Sequence, residues 1–193
     1  MSPEVKLTAE SKPKTSNVAR WLPLGLFGAF LALVMVGLYM PADREVVSAF
    51  IGKPLPKFDL PPASDDRPGL ATKTFEDGTP RLLNVFASWC VPCAVESPQL
   101  AALARQGVEI DGVALRDRKD DLARFLAQNG NPFARIGKDD LSQVQLAIGS
   151  SGVPETFVID GKGVIRYQHI GDIRAEDVPM ILRKLAEAES GAK

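Results

Sequence analysis

One Cys-x-x-Cys pair, Cys90-Val91-Pro92-Cys93, stands where an apolar run gives way to a helix-spaced stretch. Arg81-Leu82-Leu83-Asn84-Val85-Phe86-Ala87-Ser88 is compact and mostly apolar, the pattern of a strand buried on both faces, with Val85 and Phe86 in the core. After the pair, Val95, Leu100, Leu103 and Ala104 recur at helical spacing to about Arg105, and Gly107 can end the helix. The chain has 193 residues, two cysteines and one histidine, His169. A disulfide-rich scaffold, a four-cysteine cluster and a Cys₂His₂ zinc site are therefore excluded within one chain. Covalent haem attachment needs a histidine directly after the pair, and residue 94 is Ala.

The junction gives the pair its chemistry. At a helix N-terminus, unpartnered N–H groups and the positive end of the dipole stabilise a thiolate, which is the nucleophile. The spacing puts Cys93 one turn below Cys90, so it can attack a mixed disulfide held on Cys90 and close the ring. Cys90 is the expected exposed attacker and Cys93 the more buried resolver. Pro92 costs little in a first turn, where its missing N–H has no helical partner. Trp89 is expected to shield the disulfide and shape the contact surface. The expected active group is the Cys90–Cys93 disulfide itself, with no metal or other cofactor. Two thiolates also suit Cu(I), so a copper-binding chaperone is the competing class.

A second feature places this site. Trp21 to Met40 is a run of twenty residues without a charge. About 20 helical residues cross the hydrocarbon core of a bilayer, and Trp21 and Tyr39 fall near the ends, where amphipathic rings favour the interface. The run is longer than a secretory h-region and is followed by Tyr39-Met40-Pro41-Ala42-Asp43, which offers no clean Ala-x-Ala cleavage site. We read it as an uncleaved anchor. Lys6, Lys12, Lys14 and Arg20 precede it, against Arg44 and Lys53 after it, so the N-terminus is expected in the cytoplasm. The net charge of −1, without a basic run, argues against nucleic acid as a partner.

The expected organisation is a disordered tail over 1–20, an anchor over 21–40, a juxtamembrane linker over 41–52 and one domain over 53–193. Prolines make 53–62 extended, and a short strand is expected near Thr72–Phe75. Beyond the site, Val108–Leu115 reads as a strand, Lys119–Asn129 as a helix, Pro132–Ile136 as a short strand and Leu141–Ile148 as a short helix. Thr156–Asp160 and Val164–His169 form a hairpin across Gly161-Lys162-Gly163, and an amphipathic helix from Val178 closes the chain with Pro179 in its first turn. The fold class is α/β, a mixed central sheet with helices on both faces.

Three motifs in order resemble the thioredoxin superfamily: Trp89-Cys90-Val91-Pro92-Cys93 after a buried strand, Pro98 five residues after Cys93, and Gly152-Val153-Pro154-Glu155-Thr156-Phe157 entering a strand. Together with the anchor, Ile51-Gly52-Lys53-Pro54-Leu55-Pro56-Lys57-Phe58, Leu83–Cys90 and Arg166-Tyr167-Gln168-His169-Ile170-Gly171, they resemble the cytochrome c biogenesis thiol:disulfide interchange proteins, the CcmG/DsbE family, from about residue 46 to 190. The resemblance implies a thioredoxin-like fold with Pro154 cis and facing the cysteine pair. It also implies a periplasmic dithiol reductant on the bacterial inner membrane. Its partners would be the haem-attachment cysteines of apocytochrome c, or a maturation thiol protein, and an integral-membrane electron donor. A thioredoxin-like reductant for copper-site assembly shares almost all these motifs.

In plain thioredoxin a buried Asp stands six residues before the first cysteine; here that position is Asn84, which takes no proton. Glu96, three residues after Cys93, and Glu155, beside Pro154, are the candidates for that role. A carboxylate near a thiol raises both pKa values and can relay a proton to the leaving thiolate. Val153 and Gly152 could offer backbone to a bound peptide. His169 reads as structural.

Overall fold

The computed structural model describes residues 17–39 and 49–191, with side chains over 21–37 and 49–191. The expected tail up to residue 16 and the region 40–48, which holds most of the expected linker, lie outside the described residues. Two units are described separately. The first is helix α1 (Asn17–Tyr39), which contains Pro23 and exposes Trp21, Leu33 and their apolar neighbours. No helix among the described residues is long and apolar enough to cross a membrane.

The second unit is an α/β domain. After a small antiparallel pair, β1 (Asp59–Leu60) with β2 (Leu70–Ala71), come β3 (Arg81–Phe86), α2 (Val91–Arg105), β4 (Ile110–Leu115), α3 (Lys119–Asn129) and β5 (Arg135–Asp139). Helix α4 (Gln143–Ala147), β6 (Glu155–Ile159), β7 (Ile165–Ile170) and α5 (Val178–Ser190) complete it. The central sheet has the order β5-β4-β3-β6-β7, with β5, β4 and β3 parallel and β6 and β7 antiparallel additions. Parallel β3 and β4 end at the same sheet edge, and the loops after them therefore meet there.

Strand alternation divides the core. Leu82 and Phe86 join Leu100, Leu103, Phe125, Ile181 and both cysteines on one face. Leu83 and Val85 join Phe75, Val144, Ile148 and Phe157 on the other. Gly112 is needed for close approach, since a Cβ there would stand 2.8 Å from Phe86 Cε1 and 3.0 Å from Phe133 Cδ1. The rings of Phe86 and Phe133 stack with centroids 4.5 Å apart.

Two local expectations need correction. The segment Thr72–Glu76 is a 3₁₀ turn, not a strand; the strand lies just before it. Thr72 Oγ1 donates to Pro56 O at 2.7 Å and accepts from Phe58 N–H at 2.8 Å, and the turn buries Phe75. Strand β5 begins at Arg135 rather than Pro132, where pairing with Asp111 on β4 sets in.

Candidate functional site

Cys90 is the N-cap of α2, with extended backbone at φ −91° and ψ 108°. Its Sγ accepts from Cys93 N–H at 3.2 Å, satisfying one of the helix's unpartnered donors. Val91 and Pro92 form the first turn, and Pro98 lies inside the same helix. Cys90 and Cys93 are joined in a disulfide with Cα atoms 5.3 Å apart. Both are buried: Cys90 is 5% exposed and Cys93 2%. The expectation of an exposed Cys90 is thus corrected for the oxidised form, because the N-cap turn folds its sulfur onto the helix. The exposed group is Trp89, at 58%, with Val91 and Val95 beside the site.

The β4–α3 loop holds the segment before the pair. Ser88 N–H donates to Asp117 Oδ2 at 2.8 Å, Ser88 Oγ donates to Asp117 Oδ1, and Trp89 Nε1 donates to Leu115 O at 3.3 Å. Burial pushes the Asp117 carboxyl up, against the lowering effect of the two Ser88 hydrogen bonds. Beside them lies a cleft of about 390 Å³ lined by Trp89, Arg116, Asp117, Arg124 and Phe125. Asp117 was missed by sequence reasoning. The available signal was its place just after a parallel strand adjacent to β3, at the edge where such sheets carry their sites.

Glu96 is fully buried on α2. Its Oε1 accepts from Asn84 Nδ2 and its Oε2 from Ile173 N–H, each at 3.0 Å. Burial pushes its pKa up from 4.5 to about 7, with the nearby Asp172 charge acting in the same direction. The Ile173 and Asn84 hydrogen bonds oppose that rise. Asn84, Cys93, Glu96 and Ser97 line a crevice too narrow to hold a water molecule. Asn84 Nδ2 also donates to Thr156 Oγ1 at 2.9 Å, a partner that strand periodicity alone does not reveal.

The other candidates separate. The Val153–Pro154 bond is cis, and Val153 packs against the core that contains both cysteines. Pro154 O accepts from Gly171 N–H at 3.0 Å. Glu155 is buried rather than solvated, but it stands opposite Val85 in the β3–β6 register and so lies on the sheet face away from α2. It accepts from Ser151 N–H at 3.0 Å, from Ser151 Oγ, and from Gln168 Nε2 at 3.0 Å. The expectation that Glu155 faces the cysteine pair is corrected by that register. His169 lies on β7, near Asp172 and Asp177. Among the described residues, no group of three or more His, Cys, Asp or Glu side chains is arranged to hold a metal ion.

A thioredoxin-like sheet carrying a Cys-x-x-Cys disulfide at the start of a helix defines a thiol:disulfide oxidoreductase. The Redoxin family profile matches residues 50–185. The thiol:disulfide interchange protein DsbE of Yersinia pestis is 40% identical over 172 residues, covering 84% of this chain and 89% of the relative. That of Escherichia coli K12 is 39% identical over 158 residues, covering 79% and 84%. A solved thiol:disulfide interchange protein DsbE from Chlorobium tepidum aligns with a TM-score of 0.58 at 27% identity, over 72% of this chain and 97% of that one. The chain belongs to the Redoxin family and, within it, to the thiol:disulfide interchange proteins DsbE.

Proposed function

We propose that the chain is a membrane-anchored periplasmic dithiol reductant that keeps the haem-attachment cysteines of apocytochrome c, or those of a maturation thiol protein, reduced before haem ligation. The observation that carries this reading is the Cys90–Cys93 pair capping α2, with the Glu96 carboxyl buried one turn below Cys93. In the reduced enzyme, the Cys90 thiolate attacks a substrate disulfide and one substrate sulfur leaves with the electron pair of the broken bond. Glu96 then takes the Cys93 Sγ proton. The Cys93 thiolate attacks Cys90 Sγ, and the second substrate sulfur departs as a thiolate. Two electrons pass to the substrate, and the proton on Glu96 returns to solvent. An integral-membrane electron donor reduces the disulfide again.

The uncharged apolar run of the sequence over 21–40 supports the anchor, since about 20 such residues match the hydrocarbon core of a bilayer. The excess of Lys and Arg before it supports a cytoplasmic N-terminus. The test is a Cys93→Ala variant in cells, which leaves substrates joined to Cys90. Capture of an apocytochrome c or a maturation thiol protein supports the reading; capture of a copper-site protein replaces it. Acid thiol trapping of the parent should find the pair mainly reduced, and a mainly oxidised pair with the donor intact would refute the reductant direction.

A further inference from the structure

Both hydrogen-bond donors to Glu96 lead back to one residue. Ile173, which donates to Oε2, belongs to the loop 171–177 between β7 and α5. His169, the one histidine of the chain, meets that loop twice. Its Nε2 lies 3.3 Å from the Asp172 carbonyl oxygen and 3.8 Å from Asp177 Oδ2. A carbonyl partner requires the proton on Nε2. Asp177 Oδ2 in turn accepts from Arg174 N–H at 2.9 Å, which closes the loop on itself. On the other side, Asn84 joins Glu96 Oε1 to Thr156 Oγ1. Thr156 stands opposite Asn84 on β3 and opposite His169 on β7. Residues directly opposite share a sheet face, so Asn84, Thr156 and His169 form a polar row on the face that α2 covers.

We propose that His169 is a positioning residue of the exchange reaction, holding the loop and the strand row through which Glu96 is oriented toward the Cys93 proton. This rests on the reading of Glu96 as the proton acceptor for Cys93. The ring acts through Glu96 and not on the sulfurs. The charged groups about it are Asp172, itself 3.4 Å from Arg174 Nε, and Asp177 at the start of α5. From β6 the facing side chain is the uncharged Thr156, and on α2 Cys93 lies one turn before Glu96.

The experiment follows the Glu96 carboxyl by ¹³C NMR across pH in the full chain, with disulfide-exchange rates over the same range. His169→Ala frees the loop and admits water over Glu96. Burial is the largest cause of that group's raised affinity for protons and outweighs the Ile173 hydrogen bond lost with the loop, so its midpoint should fall by about one pH unit, with the rate profile following. His169→Gln keeps an N–H donor at that position and should restore the parent midpoint. His169→Phe keeps the ring volume without the donor; it should behave as the alanine variant and replaces it if that chain does not fold. A midpoint that stays put or rises in Ala and Phe, or falls equally in Gln, overturns the proposal. Glu96→Gln separates the two readings. If it leaves the rate profile unchanged, the Glu96 reading fails and this inference with it. If it flattens the profile while the His169 variants leave the midpoint in place, this inference alone fails.

Discussion

Asn84 Nδ2 donates to Glu96 Oε1 across 3.0 Å, so the central strand of the sheet holds the acid that lies one turn below Cys93. A second carboxyl at position 84 would compete with Glu96 for one proton; an amide leaves a single titrating group under the disulfide. Asn84 Oδ1 is buried without a hydrogen-bond partner. An unpaired buried acceptor costs about 1–3 kcal/mol, yet it is the group that a protonated Glu96 could donate to after an amide rotation. Asn84 can thus serve both protonation states of the acid, which matters for a group whose pKa is about 7.

Asn84→Val tests the donor directly. Valine fills the strand position and keeps the crevice dry, so the change removes the hydrogen bond that lowers the Glu96 pKa without hydrating it. The Glu96 midpoint should rise above 7, and stability should fall by about 1–2 kcal/mol. A carboxyl ¹³C titration and urea unfolding at pH 6 check both, and a midpoint at or below the parent's would contradict the role given to Asn84.

Stability should depend on pH through the same acid. In the disulfide form the folded Glu96 pKa is raised from 4.5 to about 7. Between these values the folded protein binds a proton that the unfolded chain does not. The contribution is therefore complete below about 4.5 and is lost as pH rises through about 7. At 1.36 kcal/mol per pH unit, the full effect is on the order of 3 kcal/mol. Urea unfolding of the oxidised protein at pH 5 and pH 8 should show this loss, and Glu96→Gln should remove most of it. An equal pH dependence in both proteins would show that Glu96 is not the group responsible.

Much of this site is legible in the sequence. Helix α3 runs from Lys119 to Asn129 as its pattern predicts, because Leu122, Phe125 and Leu126 mark one face and Gly130 takes the positive φ of 89° that ends it. Cys90 caps α2 because a buried strand runs straight into an apolar, proline-started helix. The facing of Glu155 was not legible. It depends on which residue of β6 stands opposite Val85, and a slip of one residue would turn every side chain of that strand to the other face. The contacts of Asp117 with Ser88 and of Ile173 with Glu96 join residues 29 and 77 positions apart, beyond the reach of local periodicity.

Gly112→Ala should destabilise the domain beneath the site. The new Cβ would fall 2.8 Å from Phe86 Cε1, and the stacked Phe86 and Phe133 rings must move to admit it. Overpacking of this kind costs about 1–3 kcal/mol. Thermal unfolding should show a lower midpoint. Compensation by Phe133→Leu in the double variant would locate the cause at the stack, whereas additive losses from the two changes would place it elsewhere.

Asp117→Ala should impair exchange without touching either cysteine. The carboxylate accepts both the N–H and the hydroxyl of Ser88, two residues before Cys90, while Leu115 at the end of β4 receives the Trp89 indole N–H. Removing it leaves a donor of a half-buried backbone segment without its partner, at a cost of about 1–3 kcal/mol. The N-cap turn then loses its fixed entry. If about 1.4 kcal/mol of that cost appears as lost positioning in the transition state, kcat/KM for a peptide disulfide falls about tenfold. Asp117→Asn keeps one carboxamide oxygen as acceptor and should recover part of the rate. The indole N–H of Trp89 gives an independent reading, since its hydrogen exchange should quicken in the alanine variant and less so in the asparagine one. A parent-like rate in Asp117→Ala, with the indole exchange also unchanged, would show that the loop does not hold the nucleophile's segment in place.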